Sequence, residues 1–269
     1  MTPAPAVPVV DGQFCEVGEG IRLHYASAGQ PGQPLLLFVH GFPEFWGAWA
    51  DLLPRFGERW FAVAPDLRGY NLSDKPSDPQ AYRPAALIGD LSALITRLGY
   101  QRATVVAHDW GGALAWGLAI AQPARVERLV SINSPHPYAF WQALCTDAEQ
   151  QSASRYMNFL RQPGSEQALL ADGCAMLRRM LDGFGGRSWL TGDTLARYLA
   201  AWQQPGAMRA GVEYYRASPL YPPTDDDPGA RRVTMQPADF TVRVPTLVLW
   251  GEGDRALRPV LLDRLPELV

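Results

Sequence analysis

Apolar positions along this chain alternate between two rhythms. Nearly continuous runs of strand length occur at Leu35–Val39, Phe61–Ala64, Thr104–Ala107, Leu129–Ile132 and Thr246–Trp250. Runs without a polar face are what strands covered on both sides of a sheet require. Between the second and third, Pro84–Leu98 spaces Leu87, Leu91, Leu94, Ile95 and Leu98 along one helical face. Ahead of them, Phe14–Val17 and Ile21–Tyr25 flank the turn Gly18-Glu19-Gly20, a hairpin pattern. Strand runs alternating with helical patterns predict an α/β fold with a mainly parallel sheet flanked by helices.

The rhythm breaks after Ser134. From 135 to 235 the strand runs disappear, and helical patterns rich in Ala, Leu, Met and aromatics replace them. The exit, Pro219 to Ala230, is dense in Pro and Asp and reads as a loop. The predicted organisation is a core in two parts, 1–134 and 236–269, with a helical cap at 135–235. Such an insertion would lie over the carboxyl ends of the strands, where an open sheet binds its ligands.

Composition narrows the possible functions. Of 269 residues, 47% are hydrophobic and 19% charged, enough apolar material to offset the conformational entropy of folding and to exclude a disordered chain. A net charge of −3 without any basic stretch gives no electrostatic basis for binding nucleic acid or an anionic membrane. No apolar run reaches the roughly 18 residues of a membrane span, and Met1–Pro5 has neither the charge nor the apolar core of a signal peptide. Cys15, Cys145 and Cys174 are too scattered for a disulfide framework or a zinc site. The expectation is a cytoplasmic protein that needs no metal or organic cofactor.

The stretch richest in chemistry is Thr104-Val105-Val106-Ala107-His108-Asp109-Trp110-Gly111-Gly112. An apolar strand runs into a turn with Asp109 at its apex and small residues two places either side, and a helical pattern follows. This is the layout of a nucleophile elbow, in which a sharp strand-to-helix turn presents one reactive side chain. An Asp that only caps the helix is the simpler alternative. A carboxylate at the apex is already ionised at neutral pH and needs no base to attack. If it attacks saturated carbon, the product is an ester that water can cleave, whereas Ser would leave an inert ether. Opening of an epoxide or displacement of a halide suits such a nucleophile; ordinary ester or amide hydrolysis does not.

Two further segments complete the pattern. His40-Gly41-Phe42-Pro43-Glu44 follows a strand, and Gly41 permits a tight turn that aims the Phe42 amide into the site. With the Trp110 amide it forms a candidate oxyanion hole. His40 and His108 flank this geometry and are read as structural. Trp250-Gly251-Glu252-Gly253-Asp254 ends the last strand run, where Asp254 is the candidate acid to orient a histidine, with Glu252 as its competitor.

Together with Asp66-Leu67-Arg68-Gly69-Tyr70-Asn71-Leu72-Ser73-Asp74-Lys75-Pro76 and Ile132-Asn133-Ser134-Pro135-His136-Pro137, these elements resemble the α/β-hydrolase fold, specifically its epoxide hydrolase branch. The resemblance covers essentially the whole chain. It implies Asp109 as nucleophile, Asp254 as charge-relay acid and the Phe42 and Trp110 amides as oxyanion donors. Glu213-Tyr214-Tyr215-Arg216-Ala217 resembles the cap segment whose tyrosine protonates the epoxide oxygen, by register Tyr215. The implied partners are a small apolar epoxide and water, and aromatics such as Phe42, Trp46, Trp110, Trp141 and Phe159 are expected to form an apolar pocket.

The sequence departs from that branch twice. The segment resembling the one with the second cap tyrosine, Tyr156 to Gly164, has Phe159 at the matching position, with Tyr156 a helical turn earlier as its candidate substitute. The branch's catalytic histidine follows a further strand after the acid, but the four histidines are His24, His40, His108 and His136, all ahead of Asp254. The expectation is that this base, with a final strand and helix, lies beyond Val269. Haloalkane dehalogenases share the Asp-Trp pair, but many place Asn where this chain has Phe42. Fluoroacetate dehalogenases use arginines where it has Trp110 and Ala113. A binding protein on the same fold is the remaining alternative.

Overall fold

The computed structural model describes residues 7–18, 20–182 and 189–269. Glu19 of the predicted turn lies outside them. The elements run β1 (Val10–Gly18), β2 (Ile21–Ala28), β3 (Leu35–Val39), α1 (Leu53–Phe56), β4 (Phe61–Pro65), α2 (Pro84–Arg97), β5 (Ala103–His108), α3 (Asp109–Ala121) and β6 (Val126–Ile132). Six helices follow: α4 (Pro137–Thr146), α5 (Ala148–Ala153), α6 (Arg155–Leu160), α7 (Ser165–Asp182), α8 (Gly192–Trp202) and α9 (Ala207–Ala217). The chain then returns through β7 (Thr246–Leu249) to α10 (Leu265–Leu268). Helix α7 is interrupted at 171–174, where Asp172, Gly173 and Cys174 take positive φ.

The seven strands form one sheet in the order β1-β2-β4-β3-β5-β6-β7. The β1–β2 and β2–β4 pairs are antiparallel, and every later pair is parallel. In β3 and β4 every residue is buried, as runs without a polar face demand. Strand β7 departs from that expectation. It is the sheet edge among the described residues and its burial alternates, with Leu247 53% and Leu249 45% exposed. Helix α2 buries Leu87, Leu91, Leu94 and Ile95 as predicted. It also buries Asp90, whose carboxylate accepts from the Arg68 Nε at 2.8 Å and Nη2 at 2.6 Å. Such a fork satisfies two charges that would otherwise be costly to bury.

The helical stretch between β6 and β7 packs onto the sheet rather than standing apart. A continuous buried cluster joins Leu37, Val39, Val105 and Trp116 of the core to Tyr198, Trp202, Tyr214 and Tyr215 of α8 and α9. Helices α6 and α9 thereby face the carboxyl ends of β3 and β5, where the candidate catalytic residues sit.

Candidate active site

Strand β5 passes directly into α3 with no intervening loop, and Asp109 takes up the change of direction with φ 50°. A positive φ at a residue with a side chain is strained and persists only where its surroundings hold it. Here the Phe42 N–H donates to the Asp109 Oδ1 at 2.8 Å, and the Ser134 hydroxyl donates to the Asp109 carbonyl at 2.8 Å. The small residues around the turn are required by contact. A Cβ on Gly41 would lie 2.3 Å from the Asp109 Cβ, and one on Gly111 would lie 2.4 Å from the His40 carbonyl oxygen. One on Gly112 would lie 2.3 Å from the Ser134 Cβ.

Burial pushes the Asp109 carboxyl above its ordinary range, against the neighbouring charge of His108 and hydrogen bonds from the Phe42 and Trp110 amides. His108 donates from Nδ1 to Glu44 Oε2 at 2.9 Å. Burial opposes its charged form, but the Glu44 carboxylate more than compensates and pushes His108 up to about 9. A cation therefore sits beside Asp109 at neutral pH. His40 is different. It is fully buried, accepts the Leu67 N–H at Nε2 (3.0 Å) and contacts the Gly41 carbonyl through Nδ1 (2.8 Å), an arrangement that fixes a neutral ring protonated at Nδ1. Burial lowers its pKa accordingly.

Asp254 is bound on both oxygens. Oδ1 accepts the Ala256 and Leu257 amides at 2.8 and 2.9 Å, and Oδ2 accepts the Asn133 side-chain amide at 2.8 Å. Asn133, itself at φ 40°, also accepts the Gly251 N–H at 3.0 Å, tying the end of β6 to the loop after β7. Glu252 is exposed. Of the two loop carboxylates, Asp254 is thus the one held in place. Its charge is felt by both His108 and Tyr156. No histidine among the described residues is hydrogen-bonded to it. His24 contacts Asp66 at 2.6 Å and Asp11 at 2.9 Å, and the His136 Nε2 contacts the Phe240 carbonyl at 2.8 Å.

Asp109 and Trp110 form one wall of a solvent-connected cleft, with Ala113, Ser134, Phe140, Met157, Leu220 and Leu257 among its lining and Tyr156 and Tyr215 facing it. Tyr215 stands edge-on to Phe42, Trp110 and Tyr156, at centroid distances of 5.3, 5.2 and 6.2 Å. Burial and then the mutual proximity of these phenols and Asp109 push Tyr215 well above the ordinary tyrosine range. Tyr156 is pushed up by burial and by the charges of Asp109 and Asp254. Tyr214 faces the core instead and donates to the Arg68 carbonyl at 2.7 Å. The register that selected Tyr215 over Tyr214 agrees with this placement.

The expected pocket aromatics need correction. Phe159 is 39% exposed and does not line the cleft, because α6 turns Tyr156, Met157 and Leu160 inward and leaves Phe159 at its outer edge. Trp141 packs with Tyr138 and donates to the Ala230 and Val233 carbonyls, and Trp46 packs beneath the sheet residues. The Phe42 ring walls a small neighbouring pocket with Glu44, Tyr70 and Trp202; Phe42 meets the cleft through its ring against Tyr215 and its N–H on Asp109. Sequence reasoning did not single out Asn133, Ser134 or Glu44 for what they hold. The available signal was their position, since each is a polar residue just past the carboxyl end of a strand adjoining β5 or β7.

Residues 34–269 match the family described as alpha/beta hydrolase fold. The AB hydrolase superfamily protein YfhM of Bacillus subtilis is 36% identical over 252 residues, covering 92% of this chain and 84% of that protein. Epoxide hydrolase 1 of Caenorhabditis elegans is 36% identical over 88% of this chain, which spans only 57% of that relative's length. The crystal structure of Bacillus megaterium epoxide hydrolase in complex with an inhibitor superposes with a TM-score of 0.86 at 34% identity, covering 96% of this chain and 88% of that one. The chain belongs to the α/β-hydrolase fold family of enzymes, in its epoxide hydrolase branch. Among the described residues no helix is long and apolar enough to cross a membrane.

Proposed function

We propose that this protein opens epoxides to vicinal diols through an ester on Asp109. The observation that carries the reading is the opposition, across one cleft, of a backbone-held carboxylate and two phenols. In the first step an Asp109 carboxylate oxygen attacks an epoxide carbon. A C–O ester bond forms, the ring C–O bond breaks, and the freed oxygen takes the proton of Tyr215, with Tyr156 as the second donor. A phenol is suited to this task because a leaving alkoxide needs a proton. The raised pKa of both tyrosines keeps the proton available until that charge develops.

In the second step water attacks the ester carbonyl carbon, and the tetrahedral oxyanion is met by the Phe42 and Trp110 amides. Collapse breaks the acyl C–O bond and restores the Asp109 carboxylate; of the two protons of the attacking water, one ends on the departing diol oxygen and the other returns Tyr215 to its phenol form. Asp254 is the acid that would orient the base for that water. In this reading residues 135–235 form the cap, whose apolar lining (Phe140, Met157, Leu220) favours an apolar substrate.

The test is the intact mass of the protein after incubation with a small aryl epoxide or a matched haloalkane, followed by peptide mapping. Mass gain of one epoxide on the peptide containing Asp109, or steady diol release that is lost in Asp109→Asn, is expected. Adduct from the haloalkane alone would transfer the protein to the dehalogenases. Diol production that survives Asp109→Asn would remove Asp109 as nucleophile.

A further inference from the structure

The tyrosines come from two different helices, Tyr156 from α6 and Tyr215 from α9, and Arg161 joins the end of one to the end of the other. Helix α9 ends at Ala217, and Ser218 turns to extended backbone (φ −74°, ψ 134°). The carbonyls of a last helical turn have no partners within their own helix. Arg161, the residue that closes α6, supplies them. Its Nη1 donates to the carbonyl of Tyr215 itself, to that of Arg216 at 3.2 Å and to that of Ser218 at 3.1 Å. A guanidinium at a helix carboxyl terminus is also favoured by the helix dipole.

Arg161 is held in turn. Its guanidinium carbon lies 3.6 Å from the centroid of the Tyr221 ring, and the Tyr221 hydroxyl donates to the Asp227 carboxylate at 3.1 Å. Asp227 is paired with Arg232 at 3.2 Å. A reciprocal contact runs the other way: Arg216, the neighbour of Tyr215, reaches back to the Gln162 carbonyl at 2.9 Å and to Glu166 at 2.6 Å. Ser218, whose carbonyl Arg161 binds, also lines the cleft.

We propose that Arg161 is a positioning residue for ring opening: through the terminal carbonyls of α9 it fixes where the Tyr215 hydroxyl stands relative to Tyr156 and Asp109. The inference rests on the reading of Tyr215 as proton donor. A lysine does not reproduce it, since one ammonium cannot both stack flat on Tyr221 and bridge three carbonyls.

The experiment is a double-mutant cycle on the rate of ester formation, followed by rapid quenching and intact mass with a small aryl epoxide. The proteins are wild type, Arg161→Met, Tyr215→Phe and the double variant, with circular dichroism as the folding check. If Arg161 acts through Tyr215, R161M slows ester formation by about tenfold or more in the wild-type background, and by less than about twofold when Tyr215 is already Phe. R161K falls between R161M and wild type. An equal loss in both backgrounds would mean that Arg161 is only a structural brace and would overturn the proposal, as would no loss in either. If R161M does not fold, the same cycle is run with R161K and decides by the same criterion. A Tyr215→Phe protein that forms ester at the wild-type rate would overturn the Tyr215 assignment and the inference together, an outcome distinct from equal losses on top of a slow Tyr215→Phe.

Discussion

The proposed nucleophile and the proposed proton donors are held in place by different means. Asp109 is set by the backbone: a strand end, a helix start, two amides and three glycines whose missing side chains let main chain approach main chain. Tyr156 and Tyr215 are set by side chains, through edge-on aromatic contacts and the arginines that cross between α6 and α9. Main-chain geometry of this kind depends on a few adjacent residues, whereas the tyrosine pair depends on packing between segments some sixty residues apart. Chemistry confined to the elbow is therefore the rigid half of the site, and chemistry shared with the helical insertion is the half that substitutions can tune.

The largest expected effect falls on the tunable half. Tyr215→Phe should slow epoxide opening by about 10²- to 10⁴-fold, the range typical for loss of a general acid, and Tyr156→Phe by a smaller factor. Displacement of a halide from a matched substrate should change far less, because a leaving halide needs no proton. Parallel stopped-flow measurements on the two substrates check this, and equal slowing of both would reduce Tyr215 to a packing residue.

On the rigid half, the sharpest probe is the charge beside Asp109. The carboxylate reacts only when ionised, so ester formation is lost as pH falls through its pKa, already above the ordinary value because of burial. His108→Gln removes the cation that opposes this rise, and the acid limb should move to higher pH. The stability consequence has its own sign. With His108 raised to about 9, its contribution is fully present below about pH 6.5 and fades as pH rises towards 9. Thermal melts across that interval should slope downward in the wild type and lose part of the slope in the variant.

The smallest effect is expected outside the cleft. Phe159→Ala should alter ring opening by less than about twofold and stability by no more than about 0.5 kcal/mol, because the side chain is exposed at the outer edge of α6. A large change in KM would return Phe159 to the substrate path.

The same division explains what could be read from the sequence. The elbow, the Phe42 loop and the strands that lead into them were legible because they are local: an apolar run, a turn and a small residue at fixed offsets. From the residues alone Asp254 was legible as one of two carboxylates, and only the resemblance singled it out; the contact that distinguishes it physically from Glu252 comes from Asn133, over a hundred residues away in the chain. Counting back from Pro163-Gly164 put Phe159 in the pocket, yet the direction a short helix faces is set by what it packs on. The half-exposed edge of β7 was hidden for the opposite reason, since a run of Leu and Val reads alike whether one face is covered or two.

Gly41, Gly111 and Gly112 also bear on how the protein can be altered by mutation. At each, even a methyl group would meet neighbouring atoms at 2.3–2.4 Å. The immediate surroundings of the nucleophile are thus nearly closed to sequence variation. Diversity in what the cleft accepts has to be written at lining positions such as Ala113, Met157 and Leu220. A library that randomises those three positions explores substrates, whereas one that randomises the glycines mostly samples failures to fold.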